Sequence, residues 1–271
     1  MTGAEREIET FVRELAARKG NLLVVTGAGV SAGSGIPVFR QEGNPDAIWT
    51  KETTELATRR YFRKDPVGQW RWYLARFANM AEKAPNAGHR ALVELERRWP
   101  GRFLLVTQNI DTLHEQAGST RMMKVHGSSA LARCSRAGCV NGAPTGTLRR
   151  ADLRDAFARF EARPCVETLP VCPACGAILR AHVLWFDESY GEHEGYGFSA
   201  VRAFLPRADG AIFVGTSFSV GITALVEGAL AAGSRPMFSI DPAPTSGAGD
   251  AIVHVAAKAE EFLPRLASCV E

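Results

Sequence analysis

An apolar run that ends in a glycine-rich stretch constrains this chain more than any other feature. Asn21-Leu22-Leu23-Val24-Val25-Thr26 reads as a strand buried on both faces. Gly27 to Gly35, rich in Gly, Ala and Ser, reads as the turn and helix start that follow it. Runs of the same kind recur at Arg102–Thr107, Gly210–Gly215 and Arg235–Ile240, with helical segments such as Gly88–Arg98 and Ile222–Ala232 between them. Strands alternating with helices imply a parallel α/β sheet. Ligands bind such sheets beyond the carboxyl ends of the strands, which is where Gly27-Ala28-Gly29 falls. Glycines there let backbone N–H groups approach a pyrophosphate, and a helix N-terminus favours its charge. Taken alone, the three residues fit a tight turn equally well.

Two stretches break the alternation. Residues 41–86 look helical and aromatic-rich, with Trp49, Tyr61, Phe62, Trp70, Trp72, Tyr73 and Phe77. Residues 131–179 hold five of the six cysteines. Both read as insertions into a Rossmann-type parallel sheet. The expected division is a dinucleotide-binding domain of 1–40, 87–130 and 180–271, a helical insertion of 41–86 and a zinc-binding module of 131–179. Cys134-x4-Cys139 and Cys172-x2-Cys175 are two pairs whose thiolates suit tetrahedral Zn2+. Cys165 lies between the pairs and competes with Cys139 for a place; Cys269 reads as a bystander. A closed four-thiolate site is structural, not catalytic.

Composition narrows the class further. The net charge is only +3, with Lys and Arg scattered and not gathered into the basic stripe of a nucleic-acid binder. No stretch is long and apolar enough to span a membrane. Met1 to Glu7 lacks the apolar core of a signal peptide and begins an amphipathic helix with Ile8, Phe11, Val12 and Leu15 on one face. The expectation is a cytoplasmic protein, monomeric by default, whose clustered cysteines bind metal and do not form disulfides.

The run from Gly27 to Arg40, Gly-Ala-Gly-Val-Ser-Ala-Gly-Ser-Gly-Ile-Pro-Val-Phe-Arg, resembles the sirtuin signature GAGxSxxSGIPxFR at every specified position. Val38 stands where the family usually has Asp. The resemblance extends over nearly the whole chain. It implies that Gly27, Ala28, Ser31, Ile36, Phe39 and Arg40 line the site for NAD. Thr107 to His114 resembles the family's QNID motif, which implies ribose contacts from Gln108 and Asn109, nicotinamide contact from Asp111, and a structural role for His114. His126, in Val125-His126-Gly127, stands where sirtuins place their base, and a histidine near its intrinsic pKa can accept a proton at neutral pH. Gly215-Thr216-Ser217 resembles the adenosine-contacting GTS. Asp241 falls where the family commonly has Asn near the adenine ribose, and a carboxylate there favours NAD over NADP. The backbone near Val255 is expected to be a further adenine contact. Cys134-Ser135-Arg136 followed by a cysteine resembles the family's first knuckle, which favours Cys139 over Cys165.

Leu179 to Glu188 resembles the segment RPxVVWFGE, which in sirtuins pairs with the substrate backbone and walls the lysine stem. Val183, Leu184, Trp185 and Phe186 inherit that role, with Ala181 replacing proline and Asp187 replacing glycine. Ser219 lies in the stretch that resembles the second substrate-pairing strand. Tyr73-x-x-Arg76 resembles a pair in desuccinylating and demalonylating sirtuins, and residues i and i+3 of a helix share a face on which a phenol and a guanidinium can hold a carboxylate. The resemblance implies NAD-dependent removal of acyl groups from protein lysines: acetyl, with succinyl and malonyl as candidates. The carbonyl oxygen attacks C1′ of the nicotinamide ribose, nicotinamide leaves, His126 activates the ribose hydroxyls, and free lysine and O-acyl-ADP-ribose are released. The alternatives are mono-ADP-ribosyl transfer or NAD hydrolysis on the same fold, and a non-enzymatic NAD sensor.

Overall fold

The computed structural model describes residues 1–38, 51–244 and 247–270. In chain order run α1 (Gly3–Ala17), β1 (Leu22–Thr26), α2 (Gly29–Ala32), α3 (Lys51–Leu56), α4 (Arg59–Lys64), α5 (Pro66–Ala81), α6 (Ala87–Arg98), β2 (Phe103–Thr107), α7 (Leu113–Ala117), β3 (Met122–Lys124) and β4 (Gly127–Cys134). There follow β5 (Leu148–Arg149), α8 (Arg154–Ala162), β6 (Leu179–Val183), α9 (Phe198–Phe204), β7 (Gly210–Val214), α10 (Gly221–Ala231), β8 (Met237–Asp241), β9 (Ile252–Ala256) and α11 (Ala259–Ser268).

The main sheet is parallel, in the order β3-β2-β1-β7-β8-β9. Side chains alternate across a strand, and each strand feeds two cores. Leu22, Val24, Leu105, Ile212, Val214, Phe238 and Ile240 face a core closed by Ile8, Val12 and Leu15 of α1, Leu92 and Leu95 of α6, and Leu263 of α11. Leu23, Val25, Leu104, Val106, Ala211 and Phe213 face Val201, Phe204, Ile222 and Val226 of α9 and α10. Cover on both faces is why these strands are continuous apolar runs. The α1 register predicted from Ile8, Phe11, Val12 and Leu15 holds, and Thr2 and Glu5 form a capping box at its start. Two strands were not expected: β3 and β9, one at each edge of the sheet.

The second sheet, β5-β4-β6, is antiparallel. It shares a third core with α5, α8 and Ile36, containing Trp70, Tyr73, Phe77, Phe157, Phe160, Leu179, Val183 and Trp185. Trp70 Nε1 donates to the Leu179 carbonyl at 2.7 Å, tying α5 to β6. The described part of the expected helical stretch is α3 to α5, with Thr58 and Asp65 as N-caps and Pro66 in the first turn of α5. Trp49 and its neighbours lie outside the described residues. Among the described residues no helix is long and apolar enough to cross a membrane.

Candidate active site

The strand order reverses beside β1, which pairs with β2 on one side and β7 on the other. Two loops leave the sheet there and meet backbone to backbone. Gly27 N–H donates to the Val214 carbonyl at 3.0 Å and Gly29 N–H to the Gly215 carbonyl at 2.8 Å. A Cβ on Gly27 would lie 2.6 Å from the Gly215 oxygen, and one on Gly29 2.5 Å from the Gly215 Cα. Only glycine fits at either position. The crevice at such a reversal is where doubly wound sheets take a dinucleotide.

The strand end of β2 closes the same crevice. Gln108 N–H donates to the Thr26 carbonyl at 2.9 Å, and its side-chain amide donates to Thr216 Oγ1 at 3.0 Å. Asn109 Nδ2 donates to the Gly27 carbonyl at 3.0 Å and to Ser31 Oγ at 3.3 Å. Ser31 in turn donates to Asp111 Oδ2 at 3.0 Å, and Asp111 Oδ1 accepts from Leu113 N–H at 3.0 Å. Asn109 Oδ1 is buried with no hydrogen-bond partner among the described residues. A buried acceptor left open in a satisfied network suits a hydroxyl from a ligand. His114 is buried, and its Nε2 meets Thr26 Oγ1 at 3.1 Å. His89 was missed by the sequence reading. Its ring packs against that of His114 at a tilt, with centroids 4.7 Å apart, it lies 3.5 Å from Ser31 Oγ, and burial lowers its pKa to about 4.

His126 follows the edge strand β3. Gly127 has φ +85°, and a Cβ there would lie 2.0 Å from the His182 carbonyl oxygen. The close approach brings the β6 exit to the histidine: Leu184 N–H donates to the His126 carbonyl at 3.0 Å. The imidazole Nδ1 lies 3.0 Å from the Gln108 carbonyl, which can only accept, so Nδ1 carries the proton. Nε2 is then the lone-pair nitrogen, 3.2 Å from the Tyr190 hydroxyl. Burial lowers the imidazole pKa to about 4 against the opposing Gln108 carbonyl, so the ring is neutral at pH 7.

Beyond His126, Val183 and Trp185 share an apolar cluster with Ile36 and Tyr73. Leu184 is half-buried, and Phe186 is 51% exposed, its N–H donating to the Ala57 carbonyl at 3.0 Å. The Tyr73 hydroxyl and Trp185 Nε1 are buried without hydrogen-bond partners among the described residues. Burial raises the Tyr73 pKa and lowers that of Arg76 to about 10, so the phenol stays neutral and the guanidinium stays charged at neutral pH. The Arg76 guanidinium also lies 4.8 Å from the Trp72 ring. Asp187 accepts from Arg59 N–H at 2.7 Å and Arg60 N–H at 3.1 Å, which makes it a cap on α4.

The remaining predicted residues are more scattered. Thr216 is buried beside Gln108, while Ser217 and Ser219 are exposed with their hydroxyls 2.7 Å apart. Asp241 ends β8 and accepts from Ala243 N–H at 3.1 Å; burial raises its pKa. The Val255 side chain is fully buried in the core, which leaves only its backbone for a ligand. Phe39 and Arg40 lie outside the described residues.

At the far end of the small sheet the four Sγ atoms of Cys134, Cys139, Cys172 and Cys175 lie within 4.8 Å of one another. Cys134 and Cys175 are 3.5 Å apart, and Cys139 and Cys172 are 3.7 Å apart. A tetrahedral zinc with bonds of about 2.3 Å spaces its sulfurs by about 3.8 Å, so the four residues fit that ion. Cys165 is outside the group, its Sγ set 3.4 Å from Thr168 Oγ1.

Residues 27–221 match the model of the Sir2 family. An NAD-dependent protein deacylase of Thermus thermophilus is 39% identical over 226 residues, covering 82% of this chain and 79% of the relative. The NAD-dependent protein deacylase sirtuin-5, mitochondrial, of Danio rerio is 37% identical over 227 residues, covering 80% and 72%. The crystal structure of a Sir2 homologue in complex with NAD superposes with a TM-score of 0.74 at 33% identity, covering 97% of this chain and 93% of that one.

Proposed function

The chain belongs to the Sir2 family, and from that premise we propose that it removes acyl groups from protein lysines with NAD as co-substrate, releasing nicotinamide and O-acyl-ADP-ribose. It is an NAD-dependent deacylase with a structural zinc module. His126 carries the reading. A neutral imidazole with one lone-pair nitrogen stands between the strand end that holds Gln108 and Asn109 and the strand exit that begins at Val183. When bound, NAD supplies an electrophilic ribose carbon and a leaving group.

The chain's own residues do the rest in this proposal. Gly27, Ala28, Ser31, Ile36, Phe39 and Arg40 line the pyrophosphate and nicotinamide-ribose side; Gly215, Thr216, Ser217, Asp241 and the Val255 backbone take the adenosine side. Gln108 and Asn109 orient the ribose, with the open Asn109 Oδ1 accepting from a hydroxyl, and Asp111 faces the nicotinamide amide. His126 takes the ribose hydroxyl proton. Val183 to Phe186 and Ser219 hold the acyl-lysine, and the buried apolar wall around Trp185 limits water. Tyr73 and Arg76 select an acyl group that ends in a carboxylate, such as succinyl or malonyl. The segment division of 1–40, 87–130 and 180–271, 41–86, and 131–179 belongs to the same proposal, with β4 and β6 of the small sheet reaching to 127 and 183. So do a monomer and a cytoplasmic location, the latter supported by cysteines free of disulfides.

Mass spectrometry of acetyl-, succinyl- and malonyl-lysine peptides, with and without NAD, tests the reading. NAD-dependent acyl loss with matching O-acyl-ADP-ribose is expected, together with its abolition in His126→Ala. Nicotinamide release that needs no acyl peptide would move the reading to ADP-ribosyl transfer or NAD hydrolysis.

A further inference from the structure

Resting on the assignment of His126 as the base, we propose that Tyr190 is a positioning residue: it holds the imidazole in one tautomer and covers its lone pair until the ribose hydroxyl of the co-substrate takes its place. Tyr190 belongs to the Ser189–Gly197 connection, a segment with no motif to announce it. Three residues fix it. Its hydroxyl lies 3.2 Å from His126 Nε2 and also accepts the Ile222 N–H at 3.2 Å. Its ring is stacked between His126, at 5.8 Å and 15°, and Phe198, at 5.1 Å and 18°.

The proton inventory has one solution. The Gln108 carbonyl takes the Nδ1 proton, so Nε2 offers a lone pair. Ile222 N–H fills an acceptor site on the phenol oxygen, and the phenol proton points to Nε2. Backbone groups at both ends therefore set the direction of the chain Ile222 N–H to Tyr190 O–H to His126 to Gln108 C=O. Burial lowers the proton affinity of the ring, and the Gln108 carbonyl opposes it. The carboxylate of the same strand end, Asp111, is held by Ser31 and Leu113 N–H.

A single lone pair serves one donor at a time. The ribose hydroxyl must displace the phenol before its proton can move to Nε2. Tyr190 therefore acts on the free enzyme and not on the complex, and this separates it from a merely structural residue. A donor to the lone pair favours the neutral ring. Removing it raises the proton affinity of the free base and leaves the bound complex unchanged.

The test is Tyr190→Phe, which keeps the stack and removes the donor. The acid limb of kcat/KM, which reports the free enzyme, should move up by roughly half to one pH unit, while the acid limb of kcat stays in place. Nitrogen-15 NMR of histidine-labelled, NAD-free protein reads the same contact without turnover, with His126→Ala identifying the resonance. The His126 midpoint should rise by the same amount in Tyr190→Phe. An unmoved midpoint, or kcat and kcat/KM limbs that shift together, overturns the proposal. Near-normal turnover by His126→Ala overturns the base assignment itself, a distinguishable failure because the NMR midpoint still reports whether Tyr190 engages the ring.

Discussion

Replacing Glu188 by Gln should destabilise the protein by about 3–4 kcal/mol. The Glu188 side chain is fully buried, and its carboxylate meets Arg180, Arg59 at 3.0 Å and Arg133 at 3.5 Å, while accepting Trp185 N–H at 3.1 Å. Arg133 and Arg180 are themselves 3% and 6% exposed, so they cannot turn to water when the charge is lost. Breaking a buried ion pair from one side costs about 3–5 kcal/mol because the partner charge stays behind. Arg59 is 39% exposed and keeps Glu192, which places the value in the lower half of that range. For a chain of this size such a loss lowers Tm by roughly 6 °C.

The pH dependence of that loss follows from the sign of the shift. Burial alone would raise the Glu188 pKa, but the Arg180 guanidinium and its companions outweigh it, and the carboxyl titrates below its ordinary 4.5. A depressed carboxylate contributes stability above the unfolded pKa and loses it as pH falls through the folded one. Urea unfolding of both proteins from pH 3 to 8 should give a constant gap above about pH 5 that narrows below pH 4. A gap under about 1 kcal/mol at neutral pH, or one that persists unchanged to pH 3, would refute the reasoning.

Two further perturbations address the proposed specificity and the metal. Arg76→Met should slow removal of succinyl and malonyl groups by at least about tenfold, the worth of one charge-assisted hydrogen bond, with deacetylation changed less than about threefold; unchanged desuccinylation in peptide mass spectrometry would remove Arg76 from acyl selection. Cys172→Ser should lower bound zinc to well below one per chain by elemental analysis and reduce thermal stability, since binding energy at a structural zinc site is folding energy; full zinc content would dissolve the assigned ligand set.

Much of the sheet was legible because its central strands are buried on both faces and therefore continuous in apolar residues. Met122–Lys124 was not, since all three of its residues are only half-buried. Ile252–Ala256 was not either, because only Ile252 and Val255 are buried and His254 interrupts the run. The paired cysteines announced their site, but the choice between Cys139 and Cys165 rests on distances that spacing cannot give. Asp187 read as an acid beside the acyl-lysine groove. Its partners are backbone amides at Arg59 and Arg60, more than a hundred residues away in sequence, and no local pattern reveals such a cap. Tyr190 is hidden for the same reason: its meaning lies in His126 and Ile222, each on another element.

The small sheet gives the metal a mechanical reach. β4 begins one residue after His126 and ends on the zinc ligand Cys134, a length of roughly 25 Å at about 3.3 Å per residue. β6 runs back alongside it, from just past Cys175 to the strand exit at Val183. The two strands form a beam with the four thiols at one end and His126 and the Val183 exit at the other. If the zinc is lost, to oxidants or chelators, the span offers a direct path by which the disturbance reaches His126 without any contact there.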